Sequence, residues 1–245
     1  MGTDSRNEQA KIAAGVYAAS LVEDGQKVGL GSGTSAWHFI RSLAKRIEEG
    51  LDIIAVPASK ASRDLAQELN VPLVELDDIA GLDICIDGAD EVAPDGSMIK
   101  GGGANLLWEK IIAVNSAKML TVVDPSKIVK TLGQFALPIE VTPAYYGTTI
   151  RNIRELLAEK GWEAVSVERR MNGDSPVITD NDNYIVDAKL ETITDPAGLA
   201  IALNQIPGVV ENGLFPAMSK GVIVGRPDGT AEFLEIGFDP ATVNA

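Results

Sequence analysis

Between Asp87 and Lys110 the chain reads DGADEVAPDGSMIKGGGANLLWEK, an order of residues that few folds accommodate. The run before it, Leu82-Asp83-Ile84-Cys85-Ile86, is the pattern of a buried strand, and its apolar character stops at Asp87, Asp90 and Glu91. Three acids therefore stand at a strand's carboxyl edge. After a turn at Pro94-Asp95-Gly96 come Lys100, three glycines (Gly101, Gly102, Gly103) and a helical pattern from Ala104 to about Ser116. Glycines before a helix let the backbone approach a ligand closely, and the free N–H groups of the helix start favour an anion. Glu109 falls one turn after Asn105, clear of the stripe formed by Leu107, Ile111 and Val114. A carboxylate, a lysine and an anion-favouring backbone thus converge on one small molecule. The plainer reading, an acidic loop with a flexible hinge, leaves three glycines and a lysine between two apolar elements unexplained.

A second loop repeats the theme. A strand at Lys27–Gly31 leads through Ser32-Gly33-Thr34-Ser35 into a helix from about Ala36 to Glu48, which makes an anion cradle. Gly31, Gly33 and Ala36 also satisfy the dinucleotide fingerprint G-x-G-x-x-A, but that motif needs an acid at the end of the second strand to hold ribose hydroxyls. The second strand, Ile53 to Val56, ends instead in Pro57-Ala58-Ser59. Further elements are expected as a helix over Glu8–Val22, a helix over Lys60–Leu69, a strand over Leu73–Leu76, and a strand over Met119–Val123 followed by Asp124-Pro125-Ser126-Lys127. Repeated strand–helix alternation predicts an α/β fold with a doubly wound, mostly parallel, Rossmann-like sheet. Ser32, Asp87, Asp90 and Lys127 all follow strands, at the carboxyl ends where open α/β sheets bind ligands.

From Leu137 to about Gln205 the pattern changes to strand, helix, three strands (from Glu163, Val177 and Tyr184) and helix. This predicts a smaller α+β, ferredoxin-like domain over residues 132–207, inserted into a catalytic domain of residues 1–131 and 208–245. A hairpin of Gly221–Val224 and Ala231–Leu234 is expected to return the chain to the first domain.

Composition removes several classes of function. A net charge of −14 argues against nucleic-acid binding, which needs clustered Lys and Arg. No apolar run approaches the roughly 20 residues that span a bilayer, and the polar start lacks a secretory apolar core, so a cytoplasmic location is expected. The single Cys85, inside an apolar strand, is expected in the core, and the single His38 is expected to pack or cap rather than to catalyse. Carboxylates and lysines must then carry any acid–base chemistry.

DGADE followed by KGGGANLLWEK, with Ile206-Pro207-Gly208-Val209-Val210-Glu211-Asn212-Gly213-Leu214-Phe215 further on, resembles the signature of the type A ribose-5-phosphate isomerases. The resemblance implies interconversion of ribose 5-phosphate and ribulose 5-phosphate through an enediolate, with no metal or redox cofactor. It implies Glu109 as the base, Asp87 assisting ring opening, and Asp90 with Lys100 positioning hydroxyls and stabilising the enediolate. Lys11, Ser32, Gly33, Thr34, Ser35 and Lys127 would hold the phosphate, and Gly101, Gly102 and Gly103 would bring N–H groups to the sugar. A homodimer or homotetramer is implied as well. The chain departs from the family pattern in three places. Its first loop exchanges hydroxyl types, Ala58-Ser59 replaces a Thr-Ser pair while leaving Ser59 as a ligand contact, and Trp108 stands where Arg is frequent and is expected to mark a subunit contact.

Overall fold

The structure, a computed structural model, describes residues 3–243. Helix α1 (Thr3–Ser20) precedes strand β1 (Lys27–Leu30), α2 (Thr34–Glu48), β2 (Ile54–Pro57), α3 (Lys60–Glu68) and β3 (Ile84–Gly88). Two short strands, β4 (Glu91–Val92) and β5 (Met98–Ile99), lead to α4 (Leu106–Val114) and β6 (Met119–Val123). The inserted unit contains β7 (Leu137–Val141), α5 (Tyr146–Glu159), β8 (Val167–Arg169), β9 (Met171–Asn172), β10 (Ser175–Pro176), β11 (Tyr184–Ala188), α6 (Pro196–Asn204) and β12 (Val209–Asn212). The chain returns through β13 (Leu214–Phe215), β14 (Ser219–Gly225), β15 (Ala231–Leu234) and α7 (Pro240–Val243).

The main sheet has the order β15-β14-β6-β3-β1-β2 and is parallel except for the hairpin strand β15. Strands covered on both faces need continuous apolar runs rather than alternation, which is what Ile84-Cys85-Ile86 and Met119–Val123 supply. One face packs Ile86 and Leu120 against Ala14 of α1 and Phe39, Ile40 and Leu43 of α2. The other packs Cys85, Met119 and Val123 against Ile112 and Ala113 of α4. Helices α1 and α2 cross so closely that a Cβ at Gly15 would lie 2.6 Å from the backbone of His38. This is the doubly wound α/β architecture the alternation predicts.

The second sheet, β12-β7-β11-β8, is antiparallel throughout, and with α5 and α6 it forms the βαββαβ, ferredoxin-like arrangement. It draws in Val209–Asn212, past the expected boundary at residue 207, because β12 pairs with the fully buried β7 and removes its open edge. Three local expectations fail. Leu73–Leu76 forms no strand: Leu73 makes a single bridge to Ala55, and a 3₁₀ turn follows at Leu76–Asp78. The strand expected from Glu163 begins only at Val167. The one expected from Val177 is reduced to a single bridge between Ile178 and Tyr184, beside the β9–β10 hairpin. The antiparallel sheet β13-β5-β4 has no counterpart in the sequence pattern, since two-residue strands carry no readable period.

Candidate active site

Asp87, near the end of β3, has its side chain fully buried, and Gly31 makes that possible: a Cβ there would lie 2.2 Å from Asp87 Oδ1. Asp87 Oδ1 accepts hydrogen bonds from Ser32 N at 2.9 Å and Gly88 N at 2.7 Å. Its Oδ2 lies 3.0 Å from Lys100 Nζ. Lys100 follows β5, is 2% exposed, donates to the Gly88 carbonyl at 2.6 Å, and stands 3.3 Å from Glu109 Oε2. Glu109 sits in the first turn of α4 at 5% exposure, and its Oε2 has no hydrogen-bond donor. One ammonium therefore bridges two buried carboxylates.

The electrostatics follow from that dry setting. Burial, reinforced by the charges of Asp87 and Asp90, outweighs the attraction of Lys100 and pushes the Glu109 carboxyl up to about 8. Burial opposes the charge on Lys100, but Asp87 and Glu109 together outweigh it and hold the ammonium above the usual lysine range. The site thus sets an ammonium held above the usual lysine range beside a carboxyl raised toward neutral to mildly alkaline pH.

A cavity of about 230 Å³ opens over this pair. Lys11 of α1, the Ser32-Gly33-Thr34-Ser35 loop, Asp90, Lys100, the three glycines, Glu109 and Lys127 all reach its wall, as do Gly88, Ala89 and Asp124. Asp87 is the exception, standing behind Lys100 rather than on the wall. Gly33 adopts a φ of 83° at the start of α2, a conformation open to glycine, and no side chain caps that helix end. Ser32 Oγ accepts from Asn105 Nδ2 at 3.0 Å, which ties the first loop to the start of α4. Asp90 Oδ2 accepts from Gly102 N at 2.7 Å. Lys127 ends a 3₁₀ turn that Asp124 initiates by accepting from Ser126 N at 2.9 Å.

Other expected residues have different placements. Ser59 is 1% exposed and caps α3, accepting from Ser62 N and from Ser32 Oγ at 3.0 Å each, so it supports the hydroxyl loop instead of touching the cavity. Trp108, expected at a subunit contact, donates from Nε1 to Asn181 Oδ1 of the inserted unit at 2.8 Å. His38 pairs with Glu8 Oε1 at 2.8 Å between α2 and α1. Cys85 is buried, and burial raises its thiol well above the ordinary value. The end of β2 at Pro57 brings no acid to the edge, which leaves the dinucleotide fingerprint incomplete. Two residues missed in the sequence support the site from below and from the side. The Phe215 ring lies under Lys100 Nζ at 5.6 Å and Lys110 Nζ at 4.8 Å. Arg170 of the inserted unit donates to the carbonyls of Gly101 and Gly102 at 2.9 Å each. No sequence signal marks Arg170, which lies 69 positions from Gly101.

The fold and the cavity define an α/β protein whose sheet edge brings an uncapped helix start, three lysines and a buried carboxyl of raised proton affinity to one cavity. The family profile described as ribose 5-phosphate isomerase A (phosphoriboisomerase A) matches residues 54–229. A ribose-5-phosphate isomerase A from Parvibaculum lavamentivorans is 45% identical over 223 residues, covering 91% of this chain and 96% of the relative. The structure of ribose 5-phosphate isomerase A from Methanocaldococcus jannaschii superposes with a TM-score of 0.84 at 39% identity, covering 94% of this chain and 99% of that one. A D-ribose-5-phosphate isomerase in complex with phospho-erythronic acid gives 0.85 at 38% identity over 96% of this chain and all of that one. The chain belongs to the ribose 5-phosphate isomerase A family.

Proposed function

We infer that this chain interconverts D-ribose 5-phosphate and D-ribulose 5-phosphate, an aldose–ketose isomerisation of the pentose phosphate pathway. The observation that carries the reading is Glu109: a buried carboxyl, pushed up to about 8, on the wall of a cavity that also presents Lys100. Moving a proton between C1 and C2 needs one group that accepts it and returns it, and a base whose proton affinity lies near the working pH does this best. Glu109 takes the proton from C2 and delivers it to C1. Lys100, with N–H groups of the glycine loop, balances the charge on the enediolate oxygens. Asp87 sets the charge and position of Lys100 and assists ring opening through it, with the Lys100 ammonium hydrogen-bonding the sugar oxygen that the opening frees. Asp90, held by Gly102 N, orients a hydroxyl.

Lys11, Lys127 and the hydroxyls of Ser32, Thr34 and Ser35 hold the phosphate, a dianion well matched to two lysines and an uncapped helix start. Phospho-erythronic acid, the ligand of the relative described above, carries a carboxylate at one end and a phosphate at the other. Those are the two anionic ends of an enediolate phosphate, and they suit a cavity lined by lysines at two places. The reading needs no metal or redox cofactor. The reading includes a cytoplasmic homodimer or homotetramer, and sedimentation of the purified protein checks the assembly.

The test is conversion of ribose 5-phosphate to its ketose by chelator-treated protein. Rapid turnover is expected. Binding of ribose 5-phosphate without turnover would overturn the reading in favour of a sugar-phosphate sensor.

A further inference from the structure

We propose that Arg170, on the inserted unit, is a positioning residue for the reaction: it fixes the peptide planes of the glycine loop so that Gly103 presents its N–H to the developing oxyanion. The inference rests on the isomerase reading above. The outer side of the loop is made by the inserted unit. Just past the end of that unit, Gly213 O accepts from Lys100 N at 2.9 Å, and a Cβ at Gly101 would lie 3.1 Å from Pro138 of β7. Arg170 completes that side, with one nitrogen, Nη1, donating to both Gly101 O and Gly102 O at 2.9 Å. The rest of its guanidinium is committed to Asp187 of β11, Nε to Oδ2 at 2.8 Å and Nη2 to Oδ1 at 2.5 Å. Its own backbone is held in the sheet, with Arg170 N donating to Ile185 O at 2.7 Å. A planar fork locked on a carboxylate and anchored at both ends has little freedom to turn.

The consequence follows from peptide geometry. All peptide bonds among the described residues are trans, and a trans peptide points its C=O and N–H to opposite sides. With Gly101 O drawn to Arg170, Gly102 N faces the other way and donates to Asp90 Oδ2 at 2.7 Å. With Gly102 O drawn to the same nitrogen, Gly103 N faces away from Arg170, and among the described residues it donates to no protein group. Gly103 lines the cavity beside Glu109. Gly101 O is also held within the loop by Ala104 N at 3.0 Å, but among the described residues Gly102 O accepts only from Arg170, and glycine has no Cβ to restrict rotation, so the orientation of the Gly102–Gly103 plane has to be imposed from outside the loop. The Arg170–Asp187 pair imposes it, and so couples the inserted unit to the chemistry without touching substrate.

Arg170→Met removes the fork while keeping the stem. Turnover of ribose 5-phosphate is expected to fall about a hundredfold in kcat, the scale of a small misplacement of reacting groups. KM should stay within a factor of about three, because the phosphate is held by residues that Arg170 does not contact. Millimolar guanidinium ion should restore part of the lost kcat in the variant and none in the wild type. Should Arg170→Met fail to fold, Asp187→Asn, which frees the fork while keeping the shape, carries the same test, with a kcat loss of about tenfold. Unchanged kcat, or a loss that tracks the fraction of unfolded protein without guanidinium rescue, would overturn the inference. Wild-type turnover assayed alongside separates the two claims: an inactive wild type removes the isomerase reading and this inference with it, while an active wild type beside an equally active variant removes this inference alone.

Discussion

Two buried glutamates, Glu140 of β7 in the inserted unit and Glu109 of α4 beside the main sheet, have contrasting surroundings. Glu140 of β7 is fully buried, but its Oε1 accepts from Thr179 Oγ1 and Asn183 Nδ2 at 2.9 Å and from Asn181 Nδ2 at 3.3 Å. Those donors tie the 179–183 loop to β7. That loop in turn grips the main domain, with Asp180 Oδ2 accepting from Lys60 N at 2.7 Å and Asn181 accepting from Trp108 at 2.8 Å. Glu109 is buried almost as deeply, yet its Oε2 has only the Lys100 ammonium nearby and no hydrogen-bond donor. The difference lies in what faces each carboxyl: hydroxyl and amide donors meet Oε1 of Glu140, whereas Glu109 faces an ammonium across the cavity wall, and burial raises its proton affinity.

The comparison can be broken most forcefully at Glu109. Glu109→Gln is isosteric and removes only the proton exchange, so the fold should persist while kcat falls by about two to four orders of magnitude. Stopped assays of ketose formation beside circular dichroism check this, and wild-type turnover in the variant would dissolve the distinction. Lys127→Ala deletes one charged contact to the phosphate, worth about 1.5–3 kcal/mol, so KM for ribose 5-phosphate should rise by roughly ten- to a hundredfold with kcat little changed. An unchanged KM in steady-state assays would take Lys127 out of the phosphate site. At the architectural glutamate the outcome reverses. Glu140→Ala leaves buried donors unpaired and should lower unfolding stability by about 1–3 kcal/mol in urea titration, while folded molecules keep their proton-transfer step.

The smallest effect concerns pH. A carboxyl that binds its proton more tightly folded than unfolded favours the folded state. For Glu109 that contribution is complete below the ordinary value of 4.5 and is lost as pH rises through about 8. The wild type should therefore lose more stability between pH 5 and pH 9 than Glu109→Gln does, which paired denaturant titrations at the two pH values measure. A parallel decline in both proteins would contradict the elevated proton affinity.

Much of this site was legible because its residues stand where strong apolar patterns stop. Asp87 ends the Ile84–Ile86 run and the glycines fall between two buried elements, but the stripe expected for α4 is the wrong face: Ile111 and Val114 are exposed, and Leu106, Glu109, Ile112 and Ala113 are buried. What could not be read depends on contacts between distant positions. Arg170 meets Gly101 across 69 residues, and Trp108 meets Asn181 across 73, so neither partnership leaves a local trace. Ser59 shows a different limit. A serine after a strand and before a helix fits both a ligand contact and a helix cap, and its hydrogen bond from Ser62 N decides for the cap. Leu73–Leu76 has strand-forming residues but pairs only through Leu73, so propensity without a partner yields a bridge and a turn.

The most direct test of the contrast between the two glutamates is the titration of Glu109 itself, followed by the carbon resonances of glutamate side-chain carboxyls in labelled protein and assigned by their loss in Glu109→Gln. A midpoint near 8 is expected, far from the ordinary 4.5. A Glu109 resonance that titrates near 4.5 would mean that burial beside Lys100 does not raise its proton affinity, and the account of the proton-transfer step would fail with it.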